Sequence, residues 1–416
     1  MNQYPVKIHK SDRNEPKMLG YKYRFYPTKS QEQFLAQSFG CVRVVYNQAL
    51  AWRQQEYQTN GTKINQNMMS KFLTDFKTNQ KFNWLNQVSS VALQQSLRHL
   101  HNGYVRFFKK QNEEPTFKKR KNRQSLTLAN NAFSFTNNTL YIAKCSESLN
   151  IKWTRALSGN VQSITISKDT ANRYFVSFCC KNFEVKSIPV AKNYAIGIDL
   201  GLTDLLITSD GEKVKPLKAL IMYQQKLALL QRALSRKVKH SNNYNKARVK
   251  VARCHNKIAD SRKDFLHKLS SRLINENQVI CLEDLSIKNM MKNHKLAKAI
   301  ADASWSEFVS MVIYKAKLYG RIVIQVSPWY PSSQICHHCG TNNGKQPLSV
   351  RQWTCKNCGA KVDRDINSGK NIKTAGLAGL ACEAKLQSEL SAEAGILALK
   401  GGEHVKELEK SFLQYR

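Results

Sequence analysis

The stretch Pro331–Ile372, PSSQICHHCGTNNGKQPLSVRQWTCKNCGAKVDRDINSGKNI, decides how the rest of the chain is read. It holds two Cys-x-x-Cys pairs, Cys336/Cys339 and Cys355/Cys358, with fifteen residues between them. Each pair is a knuckle, a tight turn that aims two thiolates at one point. Two knuckles joined by a short hairpin make a closed tetrahedral site for one structural zinc ion. A disulfide pair or a redox motif would draw on the same cysteines, but one zinc site uses all four. Five residues after the last cysteine, Asp363-Arg364-Asp365 opens a helix that carries Asn367 and Asn371. A rigid clip therefore stands directly before a carboxylate.

The whole chain has 416 residues, enough for two or three domains with sizeable cores. Its 66 Lys and Arg against 29 acids leave a net charge of +37. So lopsided a balance implies a polyanionic partner, and nucleic acid is the usual one. A membrane is not expected as a partner, because no long apolar run or basic amphipathic anchor stands out. The N-terminal MNQYPVKIHKSDRNEPK is polar and reads as a leader over 1–17 rather than a signal peptide. Seven of the eleven cysteines lie outside the clip without a secreted-type framework. Cys41, Cys179, Cys180 and Cys281 sit in apolar contexts and read as core thiols, which places the protein in a reducing, cytoplasmic compartment.

Upstream, LGYKYRFYP (19–27) alternates like a strand and stops at Pro27. Thr28 followed by Gln31 signals a capping box. Phe34, Ser38, Val42, Val45, Ala49 and Trp52 then recur at helical spacing. Asn60-Gly61 is a turn, and a second helix is expected from Asn86 to Lys110 with Leu93, Leu97, Leu100, Tyr104 and Phe107 on one face. Eight basic residues crowd Arg106–Arg123, among them Lys118, Lys119, Arg120 and Lys121. Alone, such a run is often a solvated face; in a chain of this charge it reads as phosphate contact. Residues 124–190 alternate in short strands with turns at Asn137-Asn138 and Ser158-Gly159, a small β-barrel or sandwich. The strand before Pro27 belongs with it, and the helices of 28–122 are inserted between.

Near Lys192 the composition shifts. YAIGIDLGLTDLLITSDG (194–211) reads as a β-hairpin with Asp199 at the centre of its first strand. Residues 213–272 are helical and carry seventeen Lys and Arg, including Arg248 and Arg253, against two Asp. Without a polyanion this charge would repel itself. QVICLEDL (278–285) is a strand ending at Glu283, a helix covers 300–319 and stops at Gly320, and RIVIQVSP (321–328) is another buried strand. Residues 375–416 carry no readable motif and are expected to be a weakly packed tail.

Asp199, Glu283 and Asp365 thus stand at ends of, or inside, apolar elements. An acid there is costly unless paired, hydrogen-bonded or metal-bound. Singly, each is more often structural. Together, in a chain that must hold phosphates, three hard-oxygen ligands suit hydrolysis of a phosphodiester by two metal ions. No Ser-His-Asp or Cys-His order and no G-x-x-x-x-G-K-[ST] loop competes.

IGIDLGLTDLLITSDG, the LEDL segment, SPWYPSSQICHHCG–WTCKNCG and DRDINSGKNI come in the order found in the TnpB (OrfB) family, which this chain resembles over 19–374. These are transposon-encoded RNA-guided DNA endonucleases related to compact type V CRISPR effectors. The resemblance implies an α/β multidomain protein. A RuvC nuclease domain of RNase H-like fold (194–330 and 361–374) would be split by a zinc-binding insertion (331–360). A β-barrel wedge domain (18–27 and 123–193) would carry a helical recognition domain (28–122). The family's catalytic acids carry over to Asp199, Glu283 and the second aspartate of DRD, Asp365, with Asp199 bridging two Mg²⁺ and the other two each holding one side. Gln94 in VSSVALQQSLRHL (88–100) stands where a base-contacting glutamine is expected, and glutamine can pair bidentately with adenine. The implied partners are a guide RNA from the transposon end and target double-stranded DNA; the oligomeric state is left open, with a monomer favoured. Alternatives are a nuclease-dead RNA-guided repressor, against which all three acids argue, and an RNA-independent transposase, which would need a DNA-binding module such as a helix-turn-helix that is not recognised here. A sugar-kinase-type ATPase would need phosphate-binding hairpins, also absent, and would leave +37 unexplained.

Overall fold

A computed structural model describes residues 4–10, 18–181, 193–347 and 349–399; of 386–399 it describes the backbone alone. It divides into two compact units: one of Met1–Glu15, Val185–Gln225 and Lys257–Arg416, the other of Pro16–Glu184 and Lys226–Asn256.

The chain opens with strands β1 (Val6–His9) and β2 (Met18–Phe25). Helices α1 (Lys29–Asn60), α2 (Gln66–Thr78) and α3 (Ser90–Phe108) follow. The Thr28–Gln31 capping box starts α1, and Gly61 in a left-handed conformation ends it. Strands β3 (Gln124–Ala129), β4 (Phe133–Thr136), β5 (Thr139–Ile142), β6 (Ile151–Lys152), β7 (Asn160–Lys168) and β8 (Tyr174–Lys181) come next. They form a five-stranded sheet in the order β3-β7-β8-β2-β6, with β4-β5 as a separate hairpin. The early strand does join the later β-region, pairing with β8 along its whole length. The pairing leaves β3 and β6 as edges, so the expected barrel is an open sheet. β6 has two residues and meets β2 only at Arg24 and Phe25, too short a contact to carry closure. Helices and sheet share one apolar core, in which Leu35, Val45, Leu93 and Leu97 pack with Phe25, Ile164 and Val176. The inserted helices are therefore not a separate globule.

The second sheet is built from β9 (Asn193–Asp199), β10 (Leu206–Thr208) and β11 (Lys213–Val214). After the helices α4 (Ala219–Ser235) and α5 (Asn242–Glu276) comes β12 (Asn277–Glu283). Both unit boundaries in this region fall inside those two helices, so 226–256 groups with the first sheet rather than with the 194–330 block expected from sequence. Short α6 (Ile287–Met290), α7 (His294–Ala303) and α8 (Trp305–Tyr319) lead to β13 (Ile322–Val326). The single helix expected over 300–319 is broken at Ser304, which adopts a left-handed conformation. Last come β14 (Gln352–Thr354), β15 (Lys361–Asp363) and α9 (Arg364–Leu399).

The sheet order is β1-β13-β12-β9-β10-β11, with β9, β12 and β13 parallel and the rest antiparallel. The segment read as a leader supplies its edge: Val6 and Ile8 pack on the apolar cluster beneath while Lys7 and His9 take the other parity. Parallel strands covered on both faces read as unbroken apolar runs, and alternation divides them. Ile196, Ile198, Ile280 and Leu282 meet α5 and α8 through Leu269, Leu273, Phe308 and Val312. Ala195, Val279, Cys281 and Ile324 meet α9 through Ile372 and Ala375. On that face the closest approaches are at glycines. A Cβ on Gly197 would stand 2.0 Å from the Gly369 carbonyl oxygen, and one on Gly376 2.5 Å from the Cys281 sulfur. The helix lies almost on the strands, and it continues past residue 374 to make these contacts. The stretch expected to be a loose tail is packed at its start; 400–416 lie outside the described residues.

Candidate active site and metal clip

Parity and register together assemble the acids. Asp199 and Glu283 share the α9-facing parity of Ala195-Gly197 and Val279-Cys281. Each ends its strand, rather than lying at mid-strand as expected for Asp199. Ile198 pairs with Leu282 across the parallel strands, so the next residues, the two acids, emerge side by side. Asp365 enters from the first turn of α9. Burial pushes the Asp199 carboxyl well above its ordinary range, and the charges of Glu283 and then Asp365 push it further, against a hydrogen bond with Ser368 and the field of Arg364. Burial likewise raises Glu283, opposed by the Ser332 hydroxyl. Ser332 Oγ donates to Glu283 Oε1 at 2.7 Å and accepts from Ser368 Oγ at 2.9 Å, so two serines bridge the acids. Arg351 faces Asp365, its Nη1 at 3.0 and 3.2 Å from the two carboxylate oxygens.

Asp363 is committed elsewhere. Its Oδ1 accepts the N–H groups of Asp365 and Ile366 at 3.1 Å each, capping α9, and its Oδ2 takes Lys213 Nζ at 2.7 Å. Burial would raise this carboxyl, but the Lys213 pair and the helix N–H groups outweigh it and hold it below the usual range.

The four cysteines converge more tightly than the carboxylates. Their sulfurs all lie within 4.8 Å of one another, the one such ligand group among the described residues. Cys336–Cys358 is 3.7 Å and Cys339–Cys355 3.6 Å. Metal–sulfur bonds of about 2.3 Å in a tetrahedron put sulfurs about 3.8 Å apart, whereas a disulfide needs about 2.05 Å. The donor set fits a tetrahedral metal ion such as zinc. Both knuckles close alike: Gly340 N–H donates to the Cys336 carbonyl at 2.8 Å and Gly359 N–H to that of Cys355 at 3.0 Å. Hydrogen bonds with Thr341 hold the Cys339 thiol down to about 6. The clip is fastened to α9: Asn367 Nδ2 donates to the Ile335 carbonyl at 2.7 Å, and Asn371 Nδ2 to those of Ser332 and Ile335 at 2.8 and 2.7 Å.

The remaining candidates lie in the other unit. Gln94 is exposed on α3, and Lys119, Arg120, Lys121 and Arg253 are exposed as well. Lys118 is partly spoken for, since its ammonium stands 3.8 Å over the Tyr46 ring and its amide donates to Asn47 Oδ1 at 2.8 Å. Arg248 is half-buried. Sequence reasoning missed Ser332, Ser368 and Arg351. Ser368 carried a signal, standing three residues after Asp365 on one helical face; Ser332 and Arg351 become neighbours of the acids only through the folded clip.

Comparison with known proteins places this arrangement. A cryo-EM structure of a Cas12f1–sgRNA–target DNA complex superposes with a TM-score of 0.54 over 86% of this chain and 99% of that one, at 11% identity, and so shares its fold. A family model described as probable transposase (OrfB_IS605) matches residues 177–294, and one described as Cas12f1-like, TNB domain, matches 305–372. A model described as a helix-turn-helix domain of OrfB_IS605 matches 18–62, where no such module was recognised from sequence; here those residues form β2 and the single helix α1. A Streptomyces pristinaespiralis protein named as an RNA-guided DNA endonuclease is 46% identical over 365 residues, covering 87% of this chain and 90% of that protein. InsQ of Escherichia coli (strain K12), named likewise, is 31% identical over 396 residues, 89% and 96%. The chain belongs to the TnpB (OrfB_IS605) family.

Proposed function

We propose that this protein is an RNA-guided DNA endonuclease that cuts at Asp199, Glu283 and Asp365. The relatives' names support the activity. One observation carries the site: two carboxyls emerge side by side from parallel strands, both raised by burial, with a third acid aimed at them. Such a group is stable as anions only beside cations, and Mg²⁺, when bound, stabilises charge building on a scissile phosphate. Ligands of two such ions need not crowd as ligands of one do. In this reading Asp199 would help hold both ions, and Glu283 and Asp365 would each help hold one. Ser332 and Ser368 fix the carboxylate rotamers, and Asp363 sets the angle of α9. An antiparallel β11-β10-β9 meander extended by parallel β12 and β13 is the layout expected of a RuvC-type, RNase H-like core.

In this reading Cys336, Cys339, Cys355 and Cys358 would hold a structural zinc, which would keep Ser332 and α9 in place. Net charge of +37 and the exposed cations of 106–123 and α5 give phosphates a surface to bind. Guide RNA pairs with one DNA strand, and Gln94 reads a short adjacent motif, as in RNA-guided effectors generally. The test is cleavage by Asp199→Ala, Glu283→Ala and Asp365→Ala ribonucleoproteins. Each should lose Mg²⁺-dependent cutting to below detection while binding RNA and DNA as wild type does. Full cutting by any of them would refute the site.

A further inference from the structure

The loop 327–332 is tied to the site at both ends. It leaves β13 at Val326, which is in register with Glu283, and it returns to Glu283 through the Ser332 hydroxyl. Between these ties the turn is pinned. Trp329 N–H donates to Ser327 Oγ at 3.3 Å, Tyr330 N–H to the Ser327 carbonyl at 3.1 Å, and Ser332 N–H to the Tyr330 carbonyl at 2.8 Å. Pro328 and Pro331 fix the backbone further. The two aromatic residues on this turn go opposite ways. Tyr330 is half-buried, edge-on to Tyr4 with centroids 5.5 Å apart. Trp329 is 83% exposed, more than any other large apolar side chain described.

We propose that Trp329 is a stacking platform for one unpaired base of the DNA strand held at Asp199, Glu283 and Asp365; this rests on the function argued above. An indole left in water on a rigid turn has little freedom to lose when a flat partner covers it. Bases are the flat partners available to a polycationic protein beside a phosphodiester-cutting site. Stacking is indifferent to base identity, because every base has a π-face. That indifference suits a nuclease whose target sequence is set by another molecule. A hydrogen-bonding side chain at this place would restrict the sequences that could be cut.

The experiment is a coupling measurement in single-turnover cleavage by wild-type, Trp329→Ala and Trp329→Phe ribonucleoproteins. Target DNAs carry one abasic site, walked nucleotide by nucleotide through the region of the cut. Trp329→Ala should slow cleavage of intact target about five- to 150-fold, the range base–aromatic stacking is worth, and Trp329→Phe should keep most of the rate. One abasic position should slow wild type by a similar factor and Trp329→Ala by no further amount, because the two changes remove the same contact. Zinc content and melting temperature of Trp329→Ala should equal wild type, separating a lost contact from a damaged clip. The proposal is overturned if Trp329→Ala cuts at the wild-type rate, as it would if the indole docked a protein partner, or if every abasic effect is the same in both proteins. A wild type that cuts no guide-matched DNA overturns the underlying function, and the platform with it.

Discussion

Asp363 and Asp365 are separated by one residue and make different contacts. Asp363 spends both oxygens on the α9 N-terminus and Lys213, while Asp365 adds its charge to Asp199. Asp363→Ala should therefore cost about 1 kcal/mol as a lost helix cap and slow cutting mildly. Equal loss of cutting in Asp363→Ala and Asp365→Ala would contradict the division. From sequence the two aspartates are indistinguishable by spacing, because what separates them is a lysine 150 residues away. The raised Asp199 carboxyl also has a consequence for stability. Its folded value lies above the ordinary 3.8, so between the two the native state holds a proton that the unfolded chain has lost. Stability without Mg²⁺ then falls as pH rises through that window. Asp199→Asn removes the burden. With Mg²⁺ omitted at pH 7 it should melt above wild type. Melting below wild type would mean that the site is not strained by its own charge.

Among the elements, α9 shows why some of the fold was legible and some was not. The strands could be read because their apolar pattern is local: β2 alternates, and β9, β12 and β13 are short apolar runs. The continuation of α9 looked like a loose tail because Gly376 and Gly379 weaken a helix and bring no apolar side chain. In the structure their smallness is what brings the helix onto Cys281 and Val6. Strand β1 escaped notice for another reason: four residues are too few for alternation to stand out, and its partner β13 is some 300 residues on. The close packing can be tested at Gly197, where a methyl group would meet backbone rather than a yielding side chain. Gly197→Ala should destabilise by about 3 kcal/mol or more, the upper range of overpacking, seen as an earlier urea midpoint; a midpoint within error of wild type would contradict the contact. The proposed site also rests on the clip, to which α9 is hydrogen-bonded. Cys355→Ser leaves three thiolates, and the purified variant should lose its zinc and most of its cutting, because Asn367 and Asn371 then hang on a loosened loop. Wild type with no zinc near one per chain would contradict the assignment.

Across the whole molecule, the order of motifs was enough to indicate the family, since it depends on chain sequence alone. The neighbourhood of Asp199 and Glu283 was not legible, because it depends on the register of two strands some 80 residues apart. Charge was legible as a quantity and less so as a surface: Lys118 counts toward +37 yet lies on Tyr46. A surface that binds phosphates holds nucleic acid tightly at low salt, and six to ten contacts lose roughly three to five decades of affinity between 50 and 200 mM. Phosphate contacts carry no sequence information, so such a protein must take its specificity from elsewhere, and pairing to a bound RNA supplies it. The most direct test exchanges the guide segment of that RNA and keeps the DNA motif next to the target. Cutting should move to the DNA that matches the new guide, with the old target left intact. Protein that cuts one fixed DNA sequence whatever RNA is added, or that cuts equally well when stripped of RNA, would contradict the account.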